Sequence, residues 1–295
     1  MAGVMSDLSF SARGPALCVP FGIGLLLASQ PAKAAAVVGA ASAAHTVQAS
    51  VHSAVSTPGK AEKGTWSSTA CLAMMGEDPF GARDYALDWL RHDGGRPARH
   101  CHALALIELG DEQTAAQELD DLSRKEPFTG PDSSASVRAV MATEAAEAWL
   151  SANQPANALS IIAYGLSIRP GDETLILAKA RALLAQNDMK TVVSELTALV
   201  ARNPAVSPAA YVMLATAERR LGALDKARAH IEEALSRTPD DAAALLERGI
   251  IREQTGDATG ARVDWQHVLD LAPDGHEADL ARQDLAVLAA DPDSP

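Results

Sequence analysis

Apolar positions in the C-terminal half of the chain recur at three- and four-residue steps, which is the spacing of one face of an α-helix. Between Pro208 and Leu221 such a stripe is formed by Tyr211, Leu214, Ala215 and Ala217. Gly222 follows, and glycine readily closes a helix C-terminus. A second stripe is made of Leu224, Ala227, Ile231, Ala234 and Leu235, and it stops at Pro239. The pattern predicts two antiparallel helices joined by a tight turn, with Asp240 or Asp241 capping the next helix.

This two-helix pattern repeats with a period of 34 or 35 residues. Prolines at the ends of the second helices keep that step at Pro170, Pro204, Pro239 and Pro273. Three further series share it: the turn residues Asn153, Asn187, Gly222 and Gly256; the small or branched residues Ala158, Val192, Ala227 and Ala261; and the larger apolar residues Ile162, Leu196, Ile231 and Trp265. A repeat of this length is typical of a solenoid, in which each unit buries its apolar side only against its neighbours.

These residues resemble the tetratricopeptide repeat. Its signature is a large residue, a Leu and a small residue in the first helix, a Gly-type turn, and then Ala, a bulky residue, Ala and Pro. The unit at 208–241 matches nearly throughout, through Tyr211, Leu214, Ala215, Gly222, Ala227, Ile231, Ala234 and Pro239. The next unit departs where Arg248 replaces the usual Leu, and the units before Pro204 are weaker. The resemblance implies an all-α fold, an α-solenoid of antiparallel helix pairs wound as a right-handed superhelix.

The period divides the chain into six units and a terminal helix. The units are assigned at 62–95, 96–128, 139–172, 173–207, 208–241 and 242–275, and the first two are degenerate. Residues 129–138 are expected to form a loop between two blocks of units. The amphipathic segment 276–290 is expected to cap the solenoid by covering its last apolar surface.

The N-terminus has the pattern of an export signal. Arg13 precedes the apolar run 16–29, and Ala32-Lys33-Ala34 has the A-x-A form that signal peptidase reads. The run is shorter than the roughly 20 residues that span a bilayer. We therefore predict a signal peptide at 1–34, a flexible Ala/Ser-rich spacer at 35–61, and a periplasmic or secreted mature chain. The alternative is an inner-membrane anchor formed by an uncleaved signal.

Composition narrows the function classes. Aromatic residues make up only 4% of the chain while hydrophobic residues make up 47%, which favours closely packed Ala-rich helices. The formal net charge of −13 repels phosphate backbones and anionic headgroups. We therefore expect neither nucleic-acid binding nor membrane insertion after signal cleavage.

Candidate chemistry is sparse. The chain carries no nucleophile elbow, phosphate-binding loop, zincin motif or dinucleotide fingerprint, so no catalytic residue and no cofactor is predicted. His100, Cys101 and His102 form the most metal-like cluster, with His92 nearby. Successive side chains on a helix diverge by about 100°, so these three cannot converge on one ion and no metal site is predicted.

Cys71 and Cys101 are the two cysteines that remain after signal removal. An exported protein meets an oxidising compartment, so a disulfide between them is possible. The alternative, two small buried thiols, is favoured because the geometry of a disulfide is demanding.

In proteins of this repeat class the first helices line a concave surface that receives a peptide or a partner helix. If the repeat positions assigned above are used to orient each first helix, the side chains that face this surface are Thr143, Glu147, Leu150, Leu177, Arg181, Leu184, Val212, Thr216, Arg219, Leu246, Ile250 and Glu253. This set is largely apolar with two arginines and two acids, which suits an apolar or amphipathic partner segment. It lacks the Lys/Asn set with which one variant of the family clamps a C-terminal carboxylate. The alternative for any one of these residues is simple packing between helices.

The sequence therefore favours a non-catalytic scaffold or adaptor of the bacterial cell envelope that binds a protein or peptide partner. One alternative is a periplasmic assembly factor or chaperone that holds client polypeptides. Another is an enzyme or metal protein whose site lies in the weak N-terminal units.

Overall fold

The computed structural model describes residues 66–125 and 134–290, and every regular element in those two ranges is an α-helix. The helices are α1 (Ser68–Met75), α2 (Pro79–Arg91), α3 (Gly95–Glu108), α4 (Glu112–Arg124), α5 (Ala135–Ser151), α6 (Pro155–Ile168), α7 (Glu173–Ala185), α8 (Met189–Arg202), α9 (Pro208–Arg220), α10 (Leu224–Arg237), α11 (Ala242–Gln254), α12 (Ala258–Leu271) and α13 (His276–Ala290). The predicted signal peptide and spacer lie outside the described residues.

The helices form six successive pairs followed by α13. Each odd-numbered helix packs against the even-numbered helix that follows it, and α5, α7, α9, α11 and α13 also contact one another in turn. These neighbour-to-neighbour contacts are those of a solenoid. The predicted all-α solenoid is confirmed, and α13 packs on α11 and α12, where the capping helix was expected.

The turns between paired helices follow the periodic residues of the sequence. Asn153, Asn187, Gly222 and Gly256 all have positive φ, between 55° and 87°. Glycine adopts this left-handed conformation without strain, and asparagine tolerates it better than most residues. The series of turn residues therefore exists because each unit closes its first helix with the same backbone turn.

Aspartates begin many of the helices. The side chains of Asp78, Asp111, Asp188 and Asp257 accept hydrogen bonds from backbone N–H groups in the first turn of α2, α4, α8 and α12. Asp241 caps α11 in the same way, as predicted for this position. Each such cap contributes about 1 kcal/mol to helix stability.

The interior is built mainly from alanine and branched aliphatic side chains. Ala158, Ala227 and Ala261, which share one repeat position, are fully buried. Trp149 and Trp265 are 5% and 2% exposed. The interpretation of the two tryptophans as core residues is therefore confirmed.

The loop between the two blocks is shorter than predicted at its C-terminal side. Helix α5 begins at Ala135, so the last four residues of the predicted 129–138 loop are helical. The hydroxyl of Ser134 accepts a hydrogen bond from the N–H of Val137 at 3.2 Å, which starts the helix early. Residues 126–133 lie outside the described part of the chain.

Arg248, which departs from the repeat signature, is accommodated by a partner on the paired helix. Its Nε and Nη2 donate to the two carboxylate oxygens of Asp264 at 2.9 and 2.7 Å. Asp264 is 2% exposed and also accepts from Arg252 at 2.8 Å. Asp264 raises the pKa of Arg248 by this hydrogen bonding, which burial opposes. Lys179 and Glu195 stand at the same two repeat positions and also form an ion pair.

Candidate partner-binding face

The twelve residues predicted to face a partner lie on four successive first helices, three each on α5, α7, α9 and α11. We call the surface that carries them the first-helix face. Leu184 and Leu246 do not belong to its accessible part, because they are 2% and 8% exposed and pack in the core. For these two residues the prediction of a partner contact is wrong, and inter-helix packing explains them. The other ten are partly or fully exposed: Thr143, Glu147, Leu150, Leu177, Arg181, Val212, Thr216, Arg219, Ile250 and Glu253.

Apolar side chains run along the centre of this face. Leu150 packs on the core cluster of α3–α7, while Leu177, Val212 and Ile250 pack on the cluster that continues to α13. All four remain partly exposed. The face therefore offers one accessible aliphatic side chain on each of four consecutive units.

The first arginine of the face is bound within the protein. Arg181 donates from Nη2 to the carboxylate of Glu147, which stands one unit earlier. Burial lowers the pKa of the Arg181 guanidinium from its usual value. Its Nε is buried, and no hydrogen-bond acceptor for it lies among the described residues. This ion pair joins α5 to α7.

The second arginine is also paired. Arg219 on α9 donates from Nε and Nη2 to the carboxylate of Glu247 on α11, at 2.5 and 3.2 Å. The hydroxyls of Thr143 and Thr216 donate back to the carbonyls four residues earlier on their own helices, both at 3.0 Å. The polar groups at the centre of the face are thus largely satisfied inside the chain.

The C-terminal end of the face differs, because a cavity opens there between α11 and α13. Its volume is about 150 Å³. The lining residues are Ile250, Glu253, Trp265, Asp284, Val287 and Leu288, and we call this space the terminal cavity. Sequence reasoning found Ile250 and Glu253 but missed Asp284, since the capping helix lies outside the repeat pattern that fixes the phase of the other helices.

A larger cleft of about 380 Å³ lies between α3 and α5, near the N-terminal end of the described chain. Pro97, Val137, Val140 and Met141 form its apolar walls. His100 on one side pairs with Glu144 on the other, with 2.7 Å between Nε2 and Oε2.

The His100-Cys101-His102 cluster is dispersed by the helix, as its spacing predicts. His100 contacts Glu144, whereas His102 contacts Glu118 at 2.7 Å. Among the described residues, no three His, Cys, Asp or Glu side chains come together as metal ligands would.

Cys101 points instead toward α1, where a disulfide joins it to Cys71. The two Cα atoms are 6.1 Å apart, within the usual range for this bond. In the structure the pair is therefore bonded, against the expectation of two buried thiols. The bond ties α1 to α3, which also pack directly.

None of the helices in the described ranges combines the length and apolarity that crossing a bilayer requires.

Comparison with known proteins identifies the repeat. A family model described as tetratricopeptide repeat matches residues 177–235 and 212–276. No curated protein matches the chain in sequence.

Three solved structures illustrate the shared fold. A tetratricopeptide repeat protein from Parabacteroides merdae is 13% identical, with a TM-score of 0.59 over 74% of this chain and 82% of that one. PilW, a widely conserved type IV pilus biogenesis factor, is 19% identical, with a TM-score of 0.58 over 74% and 96%. The APC/C hetero-tetramer Cut9-Hcn1 gives 15% identity and a TM-score of 0.54 over 74% of this chain but only 42% of that one.

The family match covers the last three pairs of helices, and the shared fold extends over about three quarters of the chain, so this chain contains tetratricopeptide repeats within an α-solenoid.

Proposed function

We propose that this protein is a non-catalytic scaffold that binds a segment of a partner polypeptide on the first-helix face. The observation that carries the proposal is the row of accessible aliphatic side chains, Leu150, Leu177, Val212 and Ile250, on four consecutive units. Tetratricopeptide repeats are in general a protein-interaction fold, and this row gives a partner segment a continuous apolar track.

The distribution of charge along the face supports an apolar or amphipathic segment. Because Arg181 and Arg219 are both engaged by carboxylates of this chain, neither is free to clamp an acidic partner group. Binding at the centre of the face would then depend on burial of apolar surface, at roughly 25 cal/mol per Å².

We place this function in the cell envelope. The predicted signal at 1–34 and the disulfide between Cys71 and Cys101 support that location independently, since disulfides persist in oxidising compartments. An anchor formed by an uncleaved signal remains the alternative for attachment.

An assembly factor or chaperone is the second candidate. The likeness in fold to PilW, a type IV pilus biogenesis factor, favours it. The two candidates differ in the number of partners. An adaptor holds one defined partner, whereas a chaperone holds many clients.

Site-specific photocrosslinking in intact cells tests the proposal. A photoreactive amino acid replaces Val212 on the face, and in a matched control it replaces Val263, which is 62% exposed on α12, a second helix. One discrete adduct at position 212 and none at 263 is the result expected of an adaptor. A broad set of adducts at 212 favours the chaperone, and equal adducts at both positions mean that the wrong face was chosen.

A substitution completes the test. Val212→Glu places a charge in the apolar track and is expected to abolish partner capture, whereas Val263→Glu is expected to leave it intact. Circular dichroism and urea unfolding of both variants confirm that the solenoid is folded. Retained capture by a folded Val212→Glu variant contradicts the proposal.

A further inference from the structure

The terminal cavity indicates which type of side chain the proposed partner must present. Resting on the proposed function above, we infer that this cavity binds a Lys or Arg side chain of the partner segment, next to the apolar track of the first-helix face.

The cavity has the size and walls for one such side chain. A cavity of about 150 Å³ accommodates a ligand the size of benzene. Ile250, Trp265, Val287 and Leu288 supply apolar walls, and Val287 is 66% exposed at the surface. Lys and Arg bury their methylene stems against such walls while their charged ends seek polar groups.

Two carboxylates stand where that charged end would lie. Glu253 on α11 and Asp284 on α13 both line the cavity. Neither side-chain carboxylate makes a hydrogen bond or ion pair within the described part of the chain, unlike the carboxylates of Glu147 and Glu247.

The arginine that acts on Asp284 cannot neutralise both carboxylates. Arg219 acts on Asp284 electrostatically, but its guanidinium is already held at two points by Glu247. Arg219 therefore stands against the three carboxylates of Glu247, Glu253 and Asp284. An incoming cation is attracted there, and an incoming carboxylate is repelled.

The protonation behaviour of Asp284 agrees with this arrangement. Burial raises the pKa of its carboxyl, the charge of Glu253 raises it further, and Arg219 opposes both. A raised pKa means that the free site holds its negative charge at a cost, which a bound ammonium or guanidinium would relieve. The row of aliphatic side chains leads directly to this point through Ile250, so one extended segment reaches both features.

A display library of random peptides about a dozen residues long, sorted against the purified chain, tests the inference. Selected peptides are expected to carry a Lys or Arg beside an aliphatic residue. Two peptides are then titrated against the wild type and two double variants. The first is a selected peptide, and the second is the same peptide with its basic residue replaced by methionine. The first double variant is Glu253→Gln with Asp284→Asn. The second is the matched control Asp93→Asn with Asp274→Asn, which removes two exposed carboxylates elsewhere.

The expected result is a loss of about tenfold or more in affinity for the cavity variant and for the methionine peptide, with the control variant unchanged. The chain has four tryptophans, and the indole N–H signal of Trp265 is expected to move when the peptide binds. Assignment of that signal uses the Trp265→Phe variant.

Contrary outcomes separate the inference from the proposed function. If selected peptides lack basic residues, or bind the Glu253→Gln/Asp284→Asn variant as tightly as the wild type, the inference is overturned. The proposed function survives that result provided Val212→Glu still abolishes peptide binding. A library that yields no binder counts against both.

Discussion

Arg219 and Glu247 form a two-point ion pair between neighbouring units, with Nε 2.5 Å from Oε1 and Nη2 3.2 Å from Oε2. The side chains are 15% and 8% exposed, so the pair is largely removed from water. Arg219 stands at a position where a partner contact was expected from sequence. In the structure it joins α9 to α11 instead. A substitution of Arg219 therefore affects the stability of the solenoid directly, whether or not it affects partner binding.

Replacing this arginine alone is expected to destabilise the protein. Arg219→Met leaves the Glu247 carboxylate buried without a partner and should lower the free energy of unfolding by about 3 kcal/mol. Replacing both residues, as Arg219→Met with Glu247→Leu, should restore most of the loss, because no unpaired charge remains. Urea unfolding followed by circular dichroism measures both. A double variant as unstable as the single one would show that packing of the arginine stem, and not its charge, is what matters.

The close packing of Gly249 against Trp265 leads to a second prediction. A Cβ atom at residue 249 would lie 2.3 Å from Nε1 of Trp265 and 2.7 Å from its Cδ1. Gly249→Ala should therefore cost about 2 kcal/mol of stability through overpacking. Gly76→Ala is the matched control, since its Cβ would meet nothing within 4 Å and its φ is −72°.

A double-mutant cycle checks the mechanism. Combining Gly249→Ala with Trp265→Leu should cost less than the sum of the two single changes, because the smaller side chain removes the clash. Additive costs would mean that the effect of Gly249→Ala does not come from a clash with Trp265.

Reduction of the disulfide is the third prediction. Breaking the bond between Cys71 and Cys101, which are 30 residues apart, should lower the stability of the first two helix pairs by about 3 kcal/mol. Thermal unfolding of the purified chain with and without a reductant measures the change. Titration of thiols in the unreduced protein, with Cys71→Ser/Cys101→Ser as the control, should detect neither of these cysteines. Two reactive thiols in the unreduced protein would contradict the bond.

The repeat pattern was sufficient to predict the fold, because each unit reuses the same turn and the same buried positions. The prolines and the Asn or Gly turn residues marked every pair from α5 to α12. The start of α5 was missed because Ser134 caps it ahead of the periodic residues.

The candidate face was harder to predict, because repeat phase gives the direction of a side chain but not its neighbours. Leu184 and Leu246 have the right phase and are nevertheless buried. From sequence, Arg248 is only a departure from the Leu of the repeat signature. The structure shows that it pairs with Asp264, 16 residues later. Lys179 and Glu195 have the same spacing, so paired departures of this kind could have been found by comparing the two helices of each unit.

The last prediction concerns the pH dependence that Asp284 confers. Its folded-state pKa is raised above the ordinary value of 3.8, chiefly by burial. Folding therefore favours the protonated form. The contribution of protonated Asp284 to the free energy of unfolding is fully present below pH 3.8 and is lost as the pH rises through the raised pKa. Asp284→Asn mimics the protonated form at every pH, so the variant should be more stable than the wild type at neutral pH.

The difference in stability should shrink as the solution is acidified and disappear below pH 3.8, where Asp284 becomes protonated in the unfolded as well as in the folded wild type. Urea unfolding midpoints of wild type and variant are measured across that pH range and subtracted. Because both proteins contain all the other carboxylates, their titration contributes equally to both midpoints and drops out of the difference. Asp274→Asn, an exposed change in the turn before α13, should show no such trend. A variant less stable than the wild type at neutral pH would mean that the attraction of Arg219 outweighs burial. Asp284 would then be a structural partner of that arginine, with no unmet charge to attract a basic side chain.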